Sequence, residues 1–197
     1  MPASALSWQL TWTTPNTALV AVEPRPDEVA RHAAVLAAAY NDPHNAPLLG
    51  HTEPIDAAGV IAHYADVAAG GGHNFLVYGD GALVGDADLR KVSGGAAEFA
   101  FLVAAPAAQG KGLGTRIAAM VYTFAFGELG LDRVYASIVP GNTASRRVFD
   151  KLGCWLDHSS AARRFADEPD DVVVVIDRAS FVQRYAGAMA EIAVAMR

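Results

Sequence analysis

Seven residues, Gln109-Gly-Lys-Gly-Leu-Gly-Thr115, constrain this 197-residue chain more than any other feature. They stand between a β-rich run, Ala96–Val103, and a long apolar stretch, Leu113–Leu129, closed by Gly130. Glycine loses more backbone freedom on folding than any other residue. Three of them this close are kept where the chain must turn into a left-handed conformation or pass close to a ligand. Strand, glycine turn and helix in succession aim the unpaired N–H groups of the first helical turn, with the positive end of the helix dipole, at one point. That point is an anion site, and a pyrophosphate suits it. A helix fed by a strand also needs a sheet to pack on, which predicts an α/β or mixed α+β domain. Two nucleotide fingerprints fail. The P-loop needs four residues between its first Gly and Gly-Lys-Ser/Thr, yet Lys111 is followed by Gly112; the dinucleotide loop needs Gly or Ala where Ile117 stands.

The elements around the loop read as follows. Leu6–Thr13 and Thr17–Val22 are β-rich runs about Thr14-Pro-Asn, with Trp8 and Trp12 on one face. Pro26-Asp27-Glu28 starts a helix with Val29, Ala33, Leu36 and Tyr40 at helical spacing, ending near Asn41-Asp-Pro. Asp42–Pro54, with three prolines and Gly50, is a loop of a length usually kept for function. A second helix runs from Asp56 to Ala69 with Val60, Ile61, Tyr64 and Val67 on its buried side. The period then changes: Phe75–Tyr78 and Ala82–Val92 are strands around Gly79-Asp-Gly. After the glycine loop and its helix come a strand at Arg133–Val139 and a helix at Asn142–Leu152 ended by Gly153. Strands at Cys154 to about Phe165 and at Val172–Asp177 follow. A last helix is capped by Ser180 and carries Phe181, Tyr185, Met189 and Ile192 on one side.

Composition narrows the function classes. Apolar residues make up 52% and charged residues 18%. A chain so rich in apolar side chains can bury enough surface to fold, which excludes disorder. No apolar run reaches the roughly 20 residues that cross a bilayer. The net charge of −6 excludes generic nucleic-acid binding. Residues 1–100 hold 11 acids against four bases, net −7, while residues 101–197 net +1. The first half therefore suits a cationic ligand and the second tolerates a phosphorylated one. Cys154 is the only cysteine, and none of the six histidines has ligand spacing, so neither a disulfide nor a metal is expected. The amino terminus lacks a basic start and a long apolar stretch, so a cytoplasmic setting with no membrane partner is expected.

Two motifs in order carry a family resemblance. Gln109-x-x-Gly112-x-Gly114, preceded by Phe101-Leu-Val and Pro106, resembles the acyl-CoA pyrophosphate loop of the Gcn5-related N-acetyltransferases. Pro140-Gly-Asn142-Thr-Ala-Ser145-Arg-Arg-Val-Phe149-Asp-Lys-Leu152-Gly153 is similar to that family's second cofactor-side motif. Val172–Asp177 followed by Arg178 and Phe181 is similar to the branch that acetylates ribosomal-protein amino termini. The resemblance implies a mixed, mostly antiparallel sheet flanked by helices. It covers about Asn74–Asp177; the length predicts one acetyltransferase domain over residues 1–197, with extra strands in residues 1–25 and a core at 74–178. The resemblance also implies acetyl-CoA as co-substrate, and as acceptor a small cationic amine or a protein amino group. Sheet edges and the late helix offer surfaces for a homodimer.

Amide formation from a thioester needs a neutral amine, a stabilised oxyanion and a proton for the departing thiolate. Glu98, five residues before Val103, is placed to collect the amine proton, and in the resembling family this strand often supplies the base. A solvent-facing Glu98 is the alternative. The resemblance puts a backbone N–H near Leu102 or Val103 on the oxyanion, and Gln109, Gly110, Lys111, Gly112, Leu113, Gly114 and Thr115 on the pyrophosphate. It puts Asn142 and Ser145 around the pantetheine and sulfur. Many relatives carry a tyrosine four residues after the serine as general acid; here Phe149 has no proton, which leaves Ser145 or a water it holds, with Tyr135 as a weaker candidate. Lys111, Arg116, Arg146, Arg147 and Lys151 are available to phosphates. Cys154 reads as a buried, inert thiol. His44, His51, Asn41, Asp42 and Asn45 are candidates to line the acceptor site. The rival readings are a non-catalytic acyl-CoA sensor or interaction protein of the same fold, which Phe149 allows, and a nucleotide-phosphate binder using the same glycines.

Overall fold

The computed structural model describes residues 7–50, 53–104 and 108–197. Among them nine strands form one sheet in the order β7-β8-β6-β5-β4-β3-β2-β1-β9. The strands are β1 (Trp8–Thr14), β2 (Thr17–Val22), β3 (His73–Gly79), β4 (Ala82–Ser93), β5 (Ala96–Val103), β6 (Arg133–Ile138), β7 (Trp155–Leu156), β8 (Val172–Asp177) and β9 (Ala193–Met196). The helices are α1 (Pro26–Tyr40), α2 (Ala57–Ala69), α3 (Leu113–Gly127), α4 (Thr143–Leu152), α5 (Ser160–Arg163) and α6 (Arg178–Glu191). Every neighbouring pair is antiparallel except β5 with β6. The expected mixed, mostly antiparallel sheet flanked by helices is what the chain forms.

Side-chain alternation along the strands gives the sheet two buried faces. Phe75, Val77, Ala87, Leu89, Ala97 and Phe99 enter the main core, against Ile117, Met120, Val121 and Phe124 of α3 and Phe181 of α6. The opposite face meets α1 and α2, where Val29, Leu36, Val60 and Tyr64 close over Leu76. Trp8 stacks at a tilt on Phe124 and Trp12 lies under Arg116, so the opening hairpin extends the sheet on the α3 side, far in strand order from β5 and β6.

Four expectations change. Ile61 is 39% exposed, because only Val60, Tyr64 and Val67 of α2 turn inward. The strand expected over Cys154–Phe165 shrinks to Trp155–Leu156. Asp157 accepts from the Ser159 amide and Ser159 Oγ from Ala162, which starts α5 instead. The last helix is capped by Asp177, which accepts from the Ser180 amide at 2.8 Å, so it begins at Arg178. Finally β9, hidden in Ala-Val-Ala-Met, pairs with β1 from Trp8↔Met196 to Thr11↔Ala193.

Candidate active site

The site begins where the one parallel pairing stops. β5 and β6 are bonded only over Ala96↔Arg133, Ala97↔Val134 and Glu98↔Tyr135; from there β6 continues beside β8 and β5 beside β4. A cavity of about 780 Å³ opens in the gap. The Ala104 amide donates to the Val84 carbonyl of the neighbouring strand at 2.8 Å. Alternation along the strand therefore turns the N–H and C=O of Phe101 and Val103 toward the side that β6 has left. The Val103 carbonyl accepts from Gln109 Nε2 at 2.9 Å, and by that alternation the Val103 N–H lies on the same side of the strand.

The glycine loop closes one end of this cavity. Gly110 and Gly112 have φ of 72° and 80°, a region that favours glycine. At Gly114 an added Cβ would stand 2.8 Å from the Phe101 ring, so helix and strand touch there. Gly112 is the N-cap of α3 and offers no side chain, which leaves the amides of Leu113, Gly114 and Thr115 for a ligand. Thr115 Oγ1 is buried beside them with no hydrogen-bond partner among the described residues. Gln109 Nε2 donates to the Val103 carbonyl at 2.9 Å and to Asn45 Oδ1 at 3.0 Å. Leu102, Val103, Gln109, Gly110, Gly112, Leu113, Gly114 and Thr115 all line the cavity, whereas Lys111 is exposed off its wall. Arg116 is spent elsewhere, donating to the carbonyls of Trp12 and Thr17. Pro106 and His51 lie outside the described residues.

α4 forms the facing wall. Asn142 caps it, accepting from the Ser145 amide at 2.9 Å while donating to Leu48 at 2.8 Å, so both ends of its amide hold structure. Ser145 and Arg147 line the cavity, as does Lys151. Phe149 is buried against Phe99 and Phe101. Tyr135 stacks on Phe165 at 4.2 Å in a separate cluster and does not reach the cavity. Burial pushes the Cys154 thiol up to about 12, which makes it inert at neutral pH.

The other end of the cavity is acidic. Register sets Asp86 opposite Leu102, Asp88 opposite Ala100 and Arg90 opposite Glu98 on one sheet face. Glu98 is fully buried with Arg90 at 2.8 Å and Lys91 at 2.8 Å, and it does not line the cavity. Burial pushes its pKa up against the pull of those cations. Asp86 does line the cavity. Its Oδ2 accepts from Tyr40 at 2.6 Å and Tyr64 at 2.9 Å, and burial raises its pKa to about 6. Asp88 Oδ2 meets His63 Nε2 at 3.2 Å, and this contact raises the histidine's pKa. Asp88 Oδ1 is buried with no hydrogen bond among the described residues, 3.7 Å from Arg90 Nε. His44 and Asn45 line the cavity as expected of the long loop, but Asn41 bridges the Ile55 backbone and Asp42 caps its own turn. Asp86, Asp88 and His63 line the cavity and are residues that sequence reasoning misses. The available signal is Asp86-x-Asp88 in a strand, two acids sharing a face that helices cover. No group of three or more His, Cys, Asp or Glu placed to hold a metal occurs among the described residues.

Comparison with known proteins gives a consistent result. Residues 23–154 match the model of the "Acetyltransferase (GNAT) domain". A 76-residue stretch, 38% of the chain, is 37% identical to a probable N-acetyltransferase, YjcK, of Bacillus subtilis strain 168, and spans 42% of that relative. Mycobacterium smegmatis RimJ, solved in complex with CoA-disulfide, superposes with a TM-score of 0.70 at 20% identity over 94% of this chain and 95% of its own. The aminoglycoside acetyltransferase AAC(6')-Ib in complex with coenzyme A superposes with a TM-score of 0.67 at 19% identity, over 90% and 98%. These two structures share the fold.

Proposed function

Because the chain belongs to the GNAT family of acetyltransferases, we propose that residues 1–197 act as one unit that transfers acetyl from acetyl-CoA to a primary amine. Attack is direct, in a ternary complex. The observation that carries this reading is the gap between β5 and β6, which joins an anion site at one end to an acidic chamber at the other. The amides of Leu113 to Thr115 and the dipole of α3 receive the pyrophosphate. The thioester lies along β5, with its carbonyl oxygen on the Val103 N–H, a donor already oriented before reaction. Collapse of the tetrahedral adduct breaks the C–S bond, and a proton reaches the sulfur through Ser145 or a water it holds. No acyl-enzyme is required, and the inert Cys154 supports that.

The acceptor enters the acidic chamber, where fixed carboxylates favour an amine that is cationic in solution. A small oligoamine of the kind that aminoglycoside acetyltransferases modify fits, and a protein amino terminus is the other source of the same group. Glu98 acts at one remove in this scheme, by holding Arg90 and Lys91. The test is incubation of the purified protein with isotope-labelled acetyl-CoA and a panel of diamines, aminoglycosides and amino-terminal peptides, followed by mass spectrometry. Label on an amine with release of CoA thiol is expected. CoA binding with no labelled amine and no thiol would leave an acyl-CoA sensor, the reading that Phe149 permits.

A further inference from the structure

We infer that Asp86, on the strand next to the acetyl site, is the catalytic base that takes the proton from the acceptor's ammonium group, with Tyr40 and Tyr64 as its positioning residues. The inference rests on the acetyl-transfer reading above.

Three geometric facts support it. Asp86 sits opposite Leu102, one residue from the Val103 N–H assigned to the oxyanion. Paired residues of antiparallel strands lie ~5 Å apart. Asp86 therefore borders the place where amine and thioester carbonyl must meet. Both phenols come from helices, Tyr40 from α1 and Tyr64 from α2, and both donate to the same oxygen, Oδ2. Neither phenol uses Oδ1, so that oxygen keeps its lone pairs for a substrate proton. Finally, Glu98 has both oxygens held by cations and is shut off from the cavity, so it is poorly placed for the task.

The surroundings also suit the proton. The groups facing Asp86 are the two phenols, Asp88 two residues along its own strand and His63 from α2; its strand neighbours, Leu76 and Leu102, carry no charge. An incoming ammonium group meets two carboxylates and is drawn in. Burial disfavours the ionised carboxylate and keeps it basic enough to accept a proton, while the phenols keep it from becoming too basic to release one. The step balances. The ammonium gives one proton to Asp86, and the neutral amine forms the C–N bond. The C–S bond breaks with its electron pair on sulfur, and the second N–H proton passes to the thiolate. Asp86 then returns its proton to solvent beside His63, giving amide, thiol and one released proton.

The experiment measures thiol release with whichever amine of the panel above accepts label fastest, from pH 5 to 9, alongside CoA affinity by calorimetry. Asp86→Asn is expected to lower kcat about a hundredfold with CoA affinity unchanged. Tyr64→Phe removes one donor to the carboxylate, so the acidic limb of the pH–rate profile is expected to move up by about half a unit or more. Asp86→Asn within threefold of wild type, or a limb unmoved in Tyr64→Phe, would overturn the assignment. Wild type that binds CoA yet acetylates no amine would instead overturn the acetyl-transfer reading, and the inference with it.

Discussion

Gln109 donates to Asn45 Oδ1 at 3.0 Å, tying the first residue of the glycine loop to a loop residue 64 positions earlier. The same nitrogen donates to the Val103 carbonyl at 2.9 Å, so one amide links the glycine loop, the loop that follows α1 and the end of β5. Gln109→Leu removes both bonds and leaves Asn45, which is buried, without that donor. A lost pair of this kind costs about 1–3 kcal/mol. Calorimetric titration with CoA is expected to show affinity down about tenfold, and Asn45→Ala is expected to cost less because the bond to Val103 survives.

A harsher outcome is expected at Gly112. Its φ of 80° strains any side chain. A glutamate there would also place a negative charge at the mouth of the anion site. Gly112→Glu is expected to weaken CoA binding by more than about a hundredfold, or about 2.8 kcal/mol at roughly 1.4 kcal/mol per tenfold. Circular dichroism should show a folded protein, since apart from its own chain neighbours no heavy atom of the described residues lies within 4 Å of the added Cβ.

The contrast between these two positions shows what sequence can reveal. The loop is legible because glycines at positive φ leave a spacing, and the α4 cap because Asn142 and Ser145 stand three apart before an amphipathic run. The strand order and the gap between β5 and β6 are not legible from local pattern, since pairing partners lie 37 residues apart at Ala96 and Arg133. Glu98 illustrates the cost of that blindness. Strand parity puts it on a covered face but does not say that Arg90 and Lys91 occupy its carboxylate. The same parity holds Asp86 and Asp88 in plain view, and only the helices over that face give them meaning. β9 escapes because four small or flexible residues carry no strand period of their own.

Phe149 offers a test of the thiolate's proton. Its ring packs on Phe99 and Phe101 and lines the cavity near Ser145. Ser145→Ala is expected to lower kcat about tenfold or more with little change in KM for acetyl-CoA. Adding Phe149→Tyr to that variant puts a phenol proton on the same wall and is expected to restore part of kcat. A double variant no faster than Ser145→Ala would show that the hydroxyl does not reach the sulfur.

Asp86 also leaves a mark on stability that activity does not touch. Its folded pKa of about 6 lies above the ordinary 3.8, so protons bind the folded state more tightly. The stabilisation from that site is therefore complete below pH ~3.8 and is lost as pH rises through 6. At about 1.36 kcal/mol per pKa unit, the site makes wild type about 2.5 kcal/mol less stable at pH 7.5 than at pH 4. Asp86→Asn keeps an acceptor for the two phenols but has no proton to lose. Urea denaturation of both proteins at the two pH values isolates the difference, because Glu28, held at about 2 chiefly by its hydrogen bond from Arg197, is present in both and cancels. The Asn variant is expected to gain on wild type by about 2.5 kcal/mol between pH 4 and 7.5. An equal pH dependence in the two proteins would mean that Asp86 titrates as an ordinary carboxylate.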